Sequence, residues 1–220
     1  MSANTSSITN TEQGCFISFE GIEGVGKSTQ CKRLKSFLES HNKEVVLTRE
    51  PGGTPLAERI RSIVLDSEDE IISGESELLL MFAARSIHLR NLIIPALARG
   101  AWVICDRFTD ATLAYQGYGR GQSLESIYSL AHTIHADHWP AKTLLLDAPI
   151  DVGLERVAQR VKNAGESNRF DREKQEFFSR VQQGYHALAR EHPNRISIIN
   201  ANQSIDQVSM AIQSEVIKLF

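Results

Sequence analysis

Five short apolar runs punctuate the chain: "CFISFE" (15–20), "EVVLT" (44–48), "AWVICD" (101–106), "KTLLLD" (142–147) and "RISIIN" (195–200). Their length and unbroken apolar character predict strands covered on both faces. Between them, apolar positions recur at helical spacing. "KSTQCKRLKSFLESH" (27–41) places Leu34, Phe37 and Leu38 on one face. "TPLAERIRSIVLD" (54–66) opens with Thr54 as N-cap, Pro55 at the first helical position and Glu58 in the first turn. A long helix is expected over 75–100, kinked at Pro95 and ended by Gly100. Further helices are expected over 124–136, 149–161 and 172–192, and a last one from a Ser204 cap to about Leu219. Strands alternating with helices predict an α/β chain with a five-stranded parallel sheet and helices on both faces.

The remaining segments are polar. "YQGYGRGQS" (115–123) reads as an exposed glycine-rich loop, and "KNAGESNRFD" (162–171) as a second loop. The start, "MSANTSSITNTEQG", is small and polar, so residues 1–14 are expected to be disordered, with a single domain over 15–220. A hydrophobic content of 41% over 220 residues suffices for one buried core. The net charge of -3 gives no basic bias toward nucleic acid. No apolar run is read as long enough to span a membrane, and the start has no secretory pattern, so a cytoplasmic protein is expected. Cys15, Cys31 and Cys105 lack metal or redox spacing and read as reduced thiols in or near the core. His132, His135 and His138 lie three apart, without the carboxylates or thiolates that would complete a transition-metal site.

Chemistry enters with "GIEGVGKST" (21–29). Gly21 to Ser28 fits G-x-x-x-x-G-K-[ST] and stands between an expected strand and an expected helix. In such a loop, backbone N–H groups turn toward phosphates at the positive end of a helix. Gly21, Ile22, Glu23, Gly24, Val25, Gly26, Lys27, Ser28 and Thr29 are thus the candidate ATP-binding loop. Lys27 is expected at the β- and γ-phosphates, and the Ser28 hydroxyl on Mg²⁺. Asp106, ending an apolar strand, is the expected carboxylate on the Mg²⁺ side.

The class follows by elimination. "NKEV" (42–45) lacks the aspartate of a guanine-reading N-K-x-D motif, and a motor ATPase would be larger. A small phosphotransferase remains, and its acceptor should show as further anion-binding residues. Arg49 and Arg107 follow two neighbouring strands, at the end of the sheet where doubly wound folds bind ligands, and Arg85 lies on the long helix. The arginine fork suits phosphate oxygens. A monophosphate acceptor, with a second pKa of about 6, also accounts for the lack of an evident general base. Such a nucleophile needs positioning and charge neutralisation, with no proton removed.

From about Phe16 onward the chain resembles bacterial thymidylate kinases, through "FEGIEGVGKST", "TREPGGTPLAE", "FAAR", "WVICDRF", "AYQGYGRG" and "NRFD". The resemblance implies a three-layer P-loop NTPase fold with a short lid at about 162–171, and Mg²⁺-dependent transfer from ATP to dTMP in a homodimer. By position, it implies that Arg49 and Arg107 hold the dTMP phosphate. Arg85 would meet thymine, with Thr112 and Gln116 near the base, and Tyr115 by the deoxyribose. Glu23 would bind the sugar 3′-hydroxyl, Arg160 would lie over adenine, and Arg169 would close on the transferred group. Lys27, Arg107 and Arg169 are then the catalytic set. Two departures stand out. The family's thymine-stacking Phe is Met81 here, with Phe82 beside it but about 100° round the helix. The loop position that carries an arginine in some relatives is Gly24, so the lid must supply the cation, from Arg169 or Arg172. Alternatives are a kinase for another pyrimidine monophosphate and a nucleotide-binding regulator without turnover.

Overall fold

The computed structural model describes residues 14–66, 71–136, 138–164, 170 and 173–220. The expected N-terminal tail, save Gly14, and Arg169 and Arg172 of the expected lid lie outside the described residues. Five parallel strands form one sheet in the order β2-β3-β1-β4-β5: β1 (Phe16–Glu20), β2 (Val45–Arg49), β3 (Trp102–Asp106), β4 (Lys142–Asp147) and β5 (Ile196–Asn200). The central β1 is fully buried, as its unbroken apolar run requires. Its side chains alternate between two packings. Ile17 and Phe19 join Ile104, Leu34 and Leu38 in the larger core cluster, while Phe16 joins Val103, Cys105, Leu89 and Ile93 in the smaller.

The order of the strands reverses at β1, so its carboxyl end is the switch point at which such sheets bind ligands. From there the chain turns through 21–26 into helix α1 (Lys27–Ser40). Register places Arg49 opposite Asp106, and Phe19 opposite Asp106, so three neighbouring strand ends meet there. Arg49 is the last residue of β2, one place earlier than the sequence suggests.

Helix α2 (Pro55–Asp66) starts as expected, with Glu58 N bonding Thr54 O at 2.8 Å. The long helix is composite. Helix α3 (Gly74–His88) runs into a π-helical stretch (Leu89–Ile93) and then α4 (Ile94–Ala98). The stretch contains Asn91, whose carbonyl would otherwise meet the Pro95 ring, so the wider turn falls just before the expected kink. At 25 residues, Gly74–Ala98 is long and apolar enough to cross a membrane by length and composition, which corrects the sequence expectation. Its Leu78, Phe82, Leu89 and Ile93 are spent on the core clusters instead.

A second correction concerns 115–123. Helix α5 (Thr109–Thr112) continues into a π-helical segment, Leu113–Gly119, which is buried where an exposed loop was expected. Its glycines permit close packing. A Cβ on Gly119 would stand 2.7 Å from the Phe177 ring, and one on Gly117 2.5 Å from Leu124. Helix α6 (Leu124–His135) precedes β4. Helix α7 (Ile150–Ala164) takes in the first three residues of the expected lid. Helix α8 (Gln175–Glu191) packs on the 113–119 segment, and α9 (Ile205–Val216), held by a Ser204–Gln207 capping box, packs on α1. Cys15, Cys31 and Cys105 are free thiols, and burial pushes the pKa of each up.

Candidate active site

Two cavities open at the carboxyl end of the sheet. The first is lined by Gly24, Gly26, Lys27, Ser28, Arg49, Asp106 and Arg160 among others. The second is walled by Met81, Arg85, Phe108, Thr112, Tyr115 and Gln116 among others. Glu23, Glu50, Arg61 and Arg107 line both, so the cavities meet along these four residues.

In the first cavity, Lys27 is bound by its own loop. Its Nζ donates to Gly21 O at 3.0 Å and Ile22 O at 2.7 Å. Burial and the neighbouring Arg107 lower its pKa to about 8, against the pull of Asp106, Glu23 and Glu20. Ser28 Oγ donates to Asp106 Oδ2 at 2.9 Å, which brings a hydroxyl and a carboxylate oxygen together at the loop. Oxygen donors of this kind fit Mg²⁺. Gly24 has φ +76°, and a Cβ there would lie 2.1 Å from Gly153 O. A side chain at this loop position, cationic or not, would collide with α7. Ile22 and Val25 are buried and fix the loop to the core.

Arg107 sits at φ +72°, a conformation uncommon outside glycine, directly after β3. Its Nη1 donates to Gly21 O (2.9 Å) and Tyr185 Oη (3.2 Å), and its Nη2 to Glu23 Oε1 (2.9 Å) and Tyr115 Oη (3.1 Å). Burial works against its charge, but Tyr115, Glu23, Tyr185 and Asp106 outweigh it and hold the pKa above the ordinary arginine range. Tyr115 Oη donates to the other Glu23 oxygen at 2.6 Å. Glu23, an acid in a phosphate loop, is thereby turned toward the second cavity. Beneath Arg107, Tyr185 Oη donates to Glu20 Oε2 at 2.8 Å, and Phe108 N to Glu20 Oε1 at 2.7 Å. Burial and nearby Asp110 raise the Glu20 pKa to about 8 despite Arg107 and these two bonds.

Arg49 is half exposed, and its Nη2 donates to Glu58 Oε2 at 2.9 Å. Arg61 donates to Pro51 O at 2.9 Å. Burial, and then Arg49, lower its pKa. Three guanidinium groups therefore border the junction.

In the second cavity, Arg85 Nε donates to Glu50 Oε2 at 2.7 Å and Nη2 to Thr112 Oγ1 at 3.0 Å. Its Nη1 is buried with no hydrogen-bond partner among the described residues. Glu50 Oε1 pairs with His88 Nδ1 at 3.0 Å, and His88 Nε2 with Thr48 Oγ1 at 2.7 Å. Burial favours a neutral Glu50, but Arg85 and His88 outweigh it and hold its pKa low. Met81 is half-buried on the cavity wall. Phe82 is not among the lining residues. It packs in the core with its ring 4.9 Å from the Arg85 guanidinium. Phe170 lines the cavity and meets the Tyr115 ring edge-on at 5.9 Å.

The structure thus gathers the loop residues, Asp106, Arg107, Arg49 and Arg160 at one cavity, and Met81, Arg85, Thr112, Tyr115 and Gln116 at the other. Sequence reasoning missed Glu20, Glu50, Arg61, Glu77, His88, Phe170 and Tyr185. Two of these carried a signal: Glu20 is a charge inside an apolar strand, and Glu50 directly follows Arg49. His135, one of the three spaced histidines, bonds Thr109 Oγ1 at 2.9 Å, and burial and Arg85 lower its pKa to about 4.

Comparison with known proteins gives the family of the chain. The family model described as thymidylate kinase matches residues 19–212. The thymidylate kinase of Pseudomonas putida (strain GB-1) is 50% identical over 201 residues, covering 91% of this chain and 94% of that protein. That of Nitrosospira multiformis is 46% identical, covering 94% and 99%. The crystal structure of thymidylate kinase from Ehrlichia chaffeensis superposes with a TM-score of 0.75 at 34% identity, covering 93% of this chain and 99% of that one. With a family match over most of its length, a shared fold and both cavities in place, the chain belongs to the thymidylate kinase family.

Proposed function

We propose that this protein transfers the γ-phosphoryl group of ATP to dTMP, giving ADP and dTDP for dTTP synthesis. The observation that carries the reading is the shared rim. A donor cavity built on a phosphate loop and an acceptor cavity with apolar walls meet along Glu23, Glu50, Arg61 and Arg107. The transferred phosphorus belongs at that rim, where one P–O bond to ADP breaks and one to a dTMP phosphate oxygen forms.

Lys27 exchanges its loop carbonyls for the β- and γ-phosphates. Arg107, braced by four hydrogen-bond acceptors, holds the acceptor phosphate with Arg49 and Arg61 beside it. Ser28 and Asp106 would hold Mg²⁺, which supplies charge neutralisation on the β- and γ-oxygens when bound. Glu23 accepts from the sugar 3′-hydroxyl, and Tyr115 crowds a 2′-hydroxyl. Arg160, which lines the donor cavity, would lie over the adenine. Because Gly24 has no room for a side chain, the additional cation would come from the lid, through Arg169 or Arg172. Arg169→Ala should then lower turnover far more than it weakens dTMP binding.

The deciding experiment is a coupled ADP-release assay with dTMP, dUMP, UMP and CMP. A marked preference for dTMP is expected. Equal rates for UMP and dTMP would sink the base and sugar assignments, and no ADP release with any acceptor would favour a regulator without turnover. A homodimer in the cytoplasm is the state that the family resemblance implies. Sedimentation equilibrium giving only monomer mass would remove the first part.

A further inference from the structure

Glu77 lies on α3 behind the acceptor cavity and is 1% exposed. Its Oε1 accepts from Gln116 Nε2 at 2.6 Å and from Arg120 Nε at 3.0 Å. Arg120 is itself anchored by Glu173 Oε1, 2.9 Å from its Nη2. A carboxylate paired with a guanidinium is ionised and offers only lone pairs. Of the two ends of the Gln116 amide, the NH₂ end must therefore face Glu77. The carbonyl end, Oε1, is left for the cavity that Gln116 lines, and no donor bonds it among the described residues.

Thr112, one turn before Gln116 in the same continuous helix, accepts from Arg85 Nη2, and the neighbouring Nη1 is a buried donor with no partner among the described residues. Arg85 and Gln116 both line the cavity, so a planar ligand seated there would meet a guanidinium, which only donates, and the amide oxygen of Gln116, which only accepts. A pyrimidine with a 4-oxo group and an N3–H presents the complementary pair. A 4-amino pyrimidine presents a donor where Arg85 donates and a bare N3 where Gln116 accepts, which is wrong at both places. Turning the amide over would put a donor at N3 and reverse the Gln116 half of this discrimination.

We propose that Glu77 is a specificity-determining positioning residue, which fixes the Gln116 amide with its oxygen toward the base and so selects 4-oxo over 4-amino pyrimidine nucleotides. The inference rests on the reading of the acceptor as a pyrimidine nucleoside monophosphate. It is tested by kcat/KM for dTMP, dUMP and dCMP with the unaltered protein, Glu77→Gln, Gln116→Met and the double variant, with dCMP followed at high enzyme concentration. Glu77→Gln keeps the shape but lets either amide end face Gln116.

The dTMP/dCMP ratio should fall about tenfold in Glu77→Gln, roughly the worth of one hydrogen bond. The dTMP/dUMP ratio should stay unchanged, because both bases share the same edge, whereas mere loosening of the cavity would move both ratios. Gln116→Met should narrow dTMP/dCMP to a similar extent, and adding Glu77→Gln to it should do nothing further. An unchanged dTMP/dCMP ratio in either single variant, or a dTMP/dUMP ratio that moves equally, overturns the proposal. If Glu77→Gln does not fold, Glu77→Asp, which draws the carboxylate back from Gln116 Nε2, is read for the same fall in dTMP/dCMP, and an unchanged ratio there overturns the proposal. An unaltered protein that phosphorylates none of the three sinks the acceptor reading itself, and this inference with it.

Discussion

The Arg107 guanidinium and the Glu23 carboxylate stand 2.9 Å apart across the line where the two cavities meet. The arginine at the junction is thus held in place by an acid from the glycine-rich loop. The pair is mostly buried, so its attraction is poorly screened, and each partner also bonds Tyr115 Oη. Preorganisation of this kind saves the cost of ordering a long side chain during binding.

Removing that fork should be severe. Arg107→Lys keeps the charge but loses the planar donors, and its kcat/KM for dTMP is expected to fall by about 10²–10³-fold. Steady-state kinetics on the purified variant, with a melting curve to verify folding, is the check. A loss of less than threefold would remove Arg107 from the acceptor-phosphate site.

Lys27 gives a pH dependence with a definite sign. Its pKa in the folded, nucleotide-free chain is about 8, and bound phosphates would raise it. Affinity for a non-hydrolysable ATP analogue should therefore be flat below about pH 8. Above that it should weaken by up to about tenfold per pH unit, because binding must then take up a proton. Lys27→Arg, charged throughout, should show no such break. Without nucleotide, the lowered pKa means that the unfolded chain holds this proton more tightly. The contribution of Lys27 to stability is then unfavourable below about pH 8 and improves as pH rises toward the ordinary value of 10.5. Calorimetric titrations between pH 7 and pH 9.5 test the binding limb.

Met81 occupies a wall position of the acceptor cavity, while Phe82 is committed to the core beneath Arg85. Met81→Phe should add a ring face against the base, an interaction of about 0.5–1.5 kcal/mol. The dTMP dissociation constant is expected to fall by roughly two- to tenfold. Isothermal titration of dTMP measures it directly, and weaker binding would mean that the base does not lie against this wall.

Gly119 tests the close packing of the 113–119 segment on α8. A Cβ there would approach Phe177 to 2.7 Å and Val181 to 3.0 Å. Gly119→Ala should destabilise the fold by about 1–3 kcal/mol through overpacking. Urea unfolding gives the value, and an unchanged midpoint would show that α8 can retreat at no cost.

The sheet was legible because buried parallel strands leave unbroken apolar runs, and the phosphate loop because its glycines and lysine keep fixed spacing. Arg49 and Arg107 were legible from their place at strand ends. The 113–119 segment was not. Glycines that mark a loop and glycines that let two helices touch are the same letters, and only the partner surface on α8 tells them apart. Glu50, His88, Glu77 and Tyr185 were hidden for a related reason. Each acts on a residue at least 35 positions away, so no local pattern announces it.

The burial of Leu113–Gly119 also sets how this enzyme family member can be remodelled. The stretch that carries Tyr115 and Gln116 to the second cavity is the same stretch on which α8 rests. An insertion or deletion there would shift the helix register and pull the domain apart along with the pocket. Changes of nucleotide preference are therefore confined to exchanges of single side chains on a backbone of fixed length. The acceptor pocket can be retuned, but it cannot be enlarged by growing a loop.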